Sequence, residues 1–154
     1  MKQIKKEIEF LEYAYSEILM EKDTYSSIVK KDKELKENKV LNDEFRKYLI
    51  SVIEKFNKFL NAIKIMLKNR KYDKEQSDLV FRMATYMTLD LEKSNESEII
   101  THLIHGSQVV LNNFESNYYS QKELSKTINN LAERFIKFEN ELIISLKSNI
   151  DNIE

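Results

Sequence analysis

Two histidines in this chain, His102 and His105, stand three residues apart, and Glu98 precedes the first by four. On an α-helix those spacings put all three side chains on one side. Neutral imidazole nitrogens and a carboxylate are ligand types that suit zinc or another divalent ion. The pattern H-x-x-H is nonetheless weaker than H-E-x-x-H, and the chain has no further histidine. A fourth ligand would have to come from an unspecified carboxylate or from water, so no metal is expected. The paired E-x-x-H motifs of di-iron bundles are missing too.

A second pair of interest is Arg82 and Asp90 in the stretch LVFRMATYMTLDL. In helical phase, Asp90 falls within the apolar arc of Leu79, Met83, Tyr86 and Met87, near a helix end. A carboxylate there needs a partner or solvent. It would serve as a general base or a polar ligand-binding group if its pKa were raised. The plainer reading is preferred: the helix end opens to water, or Asp90 caps a neighbouring element. Arg82 lies on the flank of the same arc, placed to pair with a carboxylate or to contact a partner.

The basic segment KIMLKNRKYDK sets Lys64, Lys68, Arg70, Lys71 and Lys74 around Tyr72. Cations on phosphates and a tyrosine for stacking would serve nucleic-acid binding. These cations also sit where a helix ends, and the helix dipole favours them there without any ligand. Nucleophilic catalysis has less to draw on. With one glycine in the chain, no G-x-S-x-G elbow, Walker loop or dinucleotide fingerprint exists. The R-x4-6-H spacing of one class of helical-bundle ribonucleases fails as well. No catalytic residue is assigned, no cofactor is expected, and the chain is read as a non-enzyme.

The elements that must position these residues follow from composition. Zero prolines and one glycine in 154 residues leave almost no turn punctuation for strands. The expectation is an all-α protein, a single domain over residues 1–154. Forty-two per cent apolar and 33% charged residues fit one soluble core rather than disorder. Twenty-five basic residues balance 26 acidic ones, so no global field draws the chain to nucleic acid or to an anionic membrane. Without cysteine, disulfides and thiolate chemistry are excluded. The first residues lack the apolar core of a signal peptide, and no apolar run approaches a membrane span; cytoplasmic residence is the expectation.

Periodicity predicts about five helices in an antiparallel up-and-down bundle, two of them long. The first carries Ile4, Ile8, Leu11, Tyr15 and Ile18; Lys22 interrupts the stripe, and KDTYSS would bend or restart it. KKDKELKENK reads as a solvated helix end or loop. Asn42 or Asp43 caps a second, long helix with Phe45, Leu49, Val52, Phe56, Phe59, Ile63 and Met66 on its stripe. A third is expected from Asp73 to Leu91. Asn95 or Ser94 caps a fourth, and Ser120 with Glu123 forms the capping box of a long fifth.

The fourth helix is unusual, because Ile99 to Phe114 contains no charged side chain. One face carries Ile100, Leu103, Ile104, Ser107, Leu111 and Phe114; the other carries His102, His105, Val109 and Asn112. Neutral polar groups tolerate burial when hydrogen-bonded, so this back face is expected to lie under another helix, of this chain or of a partner. Gly106, unfavourable in a helix, would then mark a close crossing.

The functional expectation is a regulator, inhibitor, immunity factor or assembly subunit that acts by binding another protein. Arg82, His102, His105, Val109 and Asn112 are the contact candidates, and leftover heptad surface allows a homodimer. The alternatives are a ligand-binding or enzymatic bundle using Asp90, His102 and His105, and a nucleic-acid-associated subunit.

Overall fold

With so little to break them, the helices run long. The computed structural model describes residues 2–71 and 90–153. Among these residues there are four α-helices and no strand: α1 (Lys2–Glu34), α2 (Asp43–Asn69), α3 (Glu96–Tyr119) and α4 (Lys126–Ile153). Single 3-10 turns lie over Lys36–Asn38 and Leu91–Lys93. The expected third helix falls almost wholly outside the described residues, and four helices stand among the described residues against about five expected. None of the four, all within the described residues, is long and apolar enough to cross a membrane.

The two helices expected to be long are long. They have 27 and 28 residues, about 40 Å each at 1.5 Å per residue. α1 is longer still at 33 residues and runs through KDTYSS unbroken. Tyr25 and Ile28, 1% and 0% exposed, anchor that stretch in the core.

Ring contacts fix how the helices face one another. Phe10 of α1 meets Phe114 of α3 at 5.8 Å, while Tyr25, further along α1, reaches Ser107, earlier on α3. α1 and α3 are therefore antiparallel. Phe56 and Phe59 of α2 meet Phe138 and Phe135 of α4 at 5.4 and 5.3 Å, again in opposite order. Phe114 and Phe135, 4.8 Å apart, join the two layers. Such ring pairs add about 0.5–1.5 kcal/mol each beyond the area they bury.

Two buried carboxylates fasten the ends. Glu7 accepts from Arg70 Nε at 3.0 Å and from the Ser125 amide at 2.9 Å, so α1 holds both the end of α2 and the start of α4. At the other end, Asp32 is wholly buried. It accepts from Arg46 Nε (3.0 Å) and Nη2 (2.8 Å) and from the amides of Val40 (2.7 Å) and Leu41 (3.1 Å). The segment expected to be solvated thus contains a core carboxylate. Asn42 accepts from the Phe45 amide as the cap of α2, and also binds Glu96 at the start of α3. α2 and α3 consequently start at the same end of the bundle and run the same way.

One capping expectation is corrected. Ser120 closes α3, Glu123 takes a left-handed φ of 74°, and α4 opens only at Lys126. The reason is tertiary: Leu124 turns into the core, and Glu7 takes the Ser125 amide.

Candidate functional site

α3 begins as its sequence indicates. Asn95 accepts from the Glu98 amide at 2.8 Å, and Glu98 reaches back to the Asn95 amide at 3.3 Å. The Glu98 carboxylate is thereby committed to the cap. From this start the helix turns Leu103, Ser107, Val110 and Phe114 inward. A leucine or valine at position 107 would continue a dry seam against α1. Ser107 instead donates to Glu21 Oε2 at 2.7 Å, and its Oγ lies 2.7 Å from Tyr25 Oη. Because the serine proton is spent on Glu21, Tyr25 is the donor in the second bond.

Behind Glu21, on α4, stands Glu139, 0% exposed. If both were ionised they would be acceptors only, and Glu21 Oε1 and both Glu139 oxygens have no donor among the described residues. Burial raises both carboxyls above the ordinary carboxylate range, Glu21 to about 8 and Glu139 well up. After burial, the Glu21 charge raises Glu139 further, whereas a hydrogen bond from Glu139 lowers Glu21. Both carboxyls are accordingly held toward the protonated form. Burial, and then the Glu21 charge, also hold the Tyr25 phenol well above its usual value, so it remains a donor.

Over Glu21 opens a cavity of about 250 Å³ between α1 and α3. Glu21, Tyr25 and Ser107 form its polar floor; Met20, Leu103, Val109 and Val110 supply apolar wall; Glu17, His102, His105 and Gly106 also line it. No family model, curated protein or solved structure matches this chain.

The function must therefore come from the chemistry of the site itself. Two carboxyls that burial holds toward the protonated form, one of them joined through Ser107 to Tyr25, can hold protons or, once one leaves, balance a positive charge. Among the described residues no group of three or more potential metal ligands is gathered.

The sequence candidates are distributed as follows. His105, Val109 and Asn112 are exposed and His102 is half-buried, so no helix of the described structure covers the back face of α3. Among the described residues α1 packs on the Leu103–Ser107–Val110 side, and His102, His105 and Val109 of the uncharged back face line the lip of the cavity. Gly106 marks no close crossing either, since a Cβ there would meet nothing within 4 Å. Asp90 is exposed and caps the 3-10 turn, accepting from the Glu92 amide at 3.2 Å. Arg82 lies outside the described residues.

Gly106 yields a direct prediction. Its φ is not in the left-handed region, and there is room for a methyl group. Gly106→Ala is expected to stabilise the protein by roughly 0.5–1 kcal/mol. The melting temperature followed by circular dichroism should rise by about 1–4 °C. A fall would show that glycine is needed for a close approach.

Sequence reasoning missed Glu21, Tyr25 and Glu139 as site residues, yet a signal exists. Glu21 stands three after Ile18 and four before Tyr25; Glu139 stands four after Phe135 and three before Leu142. Both occupy core positions of an otherwise apolar 3/4 repeat.

Proposed function

We propose that this chain is a small-molecule-binding helical bundle whose site is the cavity between α1 and α3. The observation that carries the reading is Glu21, fully buried at the cavity floor with one carboxyl oxygen lacking a donor. Buried polar groups are otherwise hydrogen-bonded almost without exception, because leaving one unpaired costs about 1–3 kcal/mol or more. A core that only had to be stable would place an apolar residue at this position. At about 250 Å³ the space is just below the usual range for drug-sized ligands, which suits a small metabolite.

The reading is tested by closing the cavity from its mouth. A leucine at position 106 starts from open space and reaches over the opening without displacing the core. A fragment screen followed by amide NMR is expected to move Tyr25, Gly106 and Ser107 in the native chain and to lose those shifts in Gly106→Leu. Shifts that cluster elsewhere, or that survive the plug, would contradict the proposal.

Protein binding is the second reading, favoured by the exposed, uncharged strip of His105, Val109 and Asn112 beside the mouth, with His102 half-buried at its edge. A partner or a second copy docked there would close the cavity. Val109→Lys is expected to disrupt such a complex while leaving small-molecule shifts intact, and light scattering on the eluting protein reads the homodimer case. Nucleic-acid binding has less behind it, because Arg70 is engaged by Glu7.

A further inference from the structure

We infer that the ligand is an organic cation: a primary ammonium or guanidinium head group on a short apolar body, seated against the carboxyls that line the cavity, Glu17 and Glu21. The inference rests on the cavity being a ligand site and adds the chemistry of its occupant. The groups facing that space decide the sign of the charge. α1 contributes Glu17, Glu21 and the phenol of Tyr25; α3 contributes His102 and His105; Glu139 of α4 stands behind Glu21, and Tyr48 of α2 lies close enough to act on Tyr25. Neither lysine nor arginine lines the cavity among the described residues. An anion would meet carboxylates on the floor with no fixed cation to offset them.

A metal ion fits poorly for a different reason. Hard cations want six or more oxygen ligands, whereas here one wall is Met20, Leu103, Val109 and Val110. That wall asks for hydrocarbon. An ammonium group offers three donors and a guanidinium five, against carboxyl oxygens that have none. The Tyr25 ring beside Glu21 adds a face on which a cation is attracted.

Seating a cation there favours the ionised form of Glu21, whose proton passes to solvent. Binding is thus linked to proton release, and affinity rises by up to about tenfold per pH unit while the pair is protonated. The His102→Gln/His105→Gln double variant isolates the carboxyls from the imidazoles at the rim. Glu17→Gln does the same for the outer carboxyl.

The experiment is a titration of n-hexylammonium, n-hexylguanidinium, 1-hexanol and hexanoate into the whole chain at pH 6, 7 and 8. It is read by the amide shifts of Gly106 and Ser107 and by calorimetry in two buffers of different ionisation enthalpy. The expected result is that at least one of the cations binds ten times or more as tightly as hexanol at pH 8, with proton release. Glu21→Gln should abolish that preference and remove the proton release. Hexanol or hexanoate binding as well as the cations would overturn the cation assignment and leave the cavity reading standing. No shift at Gly106 or Ser107 with any of the four compounds at 10 mM would overturn both.

Discussion

Asp32→Ala is expected to destabilise the fold by about 3–5 kcal/mol. That is a large share of the roughly 5–15 kcal/mol that holds a domain together. The Asp32 side chain is fully buried and receives four hydrogen bonds, two from the Arg46 guanidinium and two from the Val40 and Leu41 amides. Those amides belong to the turn that brings α2 back along α1. Without the carboxylate, two backbone donors and a guanidinium whose side chain is only 14% exposed lose their acceptor together.

A control isolates burial as the cause. Arg46 also contacts Asp43, at 2.6 Å, but the Asp43 side chain is 83% exposed. Asp43→Ala should therefore cost far less than Asp32→Ala, as exposed pairs do. Urea unfolding of the two variants measures the contrast. Equal losses would mean that burial of Asp32 does not govern the strength of this corner.

The second large effect is on pH dependence. The carboxyls of Glu21 and Glu139 are raised in the folded chain by burial, and Glu21 in particular to about 8 from an unfolded value near 4.5. For a raised carboxyl the folded state binds more protons than the unfolded state between the two values. The stabilising contribution is complete below about pH 4.5 and is lost as pH rises through the folded value. Stability should accordingly fall from pH 5 to pH 9 by an amount on the order of several kcal/mol, since each tenfold change in proton affinity is worth about 1.4 kcal/mol. Glu17 and Asp23, also raised by burial, act in the same direction.

Glu139→Gln replaces the raised acid with a neutral amide whose NH2 group can donate to Glu21. The variant is expected to match the native chain near pH 5 and to exceed its stability by about 1–3 kcal/mol at pH 8 to 9. Denaturant midpoints across that pH range measure both statements. A native chain equally stable at pH 5 and pH 9 would mean that the pair is solvated and that its protons are ordinary.

Much of the helical frame was legible in the sequence, because it depends on local signals. The apolar stripe of α2, its Asn42 cap and the Asn95–Glu98 box at the start of α3 are set by neighbours within a turn or two. Errors arose where a distant residue decided the outcome. The start of α4 depends on Glu7, 118 positions away from the Ser125 amide it accepts from, so the local Ser120–Glu123 pattern was overruled. α1 continued through Lys22 because Tyr25 and Ile28 pack against other helices.

The site was only half legible, for a related reason. The uncharged character of α3 pointed to the right helix, and His102 and His105 do stand at the rim of the cavity. What the pattern could not supply was the other side. Glu21 and Glu139 look like two of many surface glutamates until α1 and α4 are packed against one another. Asp32 was hidden in the same way within a lysine-rich segment. In each case a charged residue at a core position of the repeat was the available clue.

The central claim is that Glu21, backed by Glu139, gives up its proton when a cationic ligand binds at the floor of the cavity. Carboxyl 13C NMR of these two side chains at pH 7, with and without n-hexylammonium or n-hexylguanidinium, tests it most directly. Both carboxyls are expected to carry their protons in the free chain at pH 7, and the Glu21 carboxyl to move to its ionised shift as at least one of the cations binds. Two carboxyls already ionised in the free chain, or shifts that neither cation alters, would contradict it.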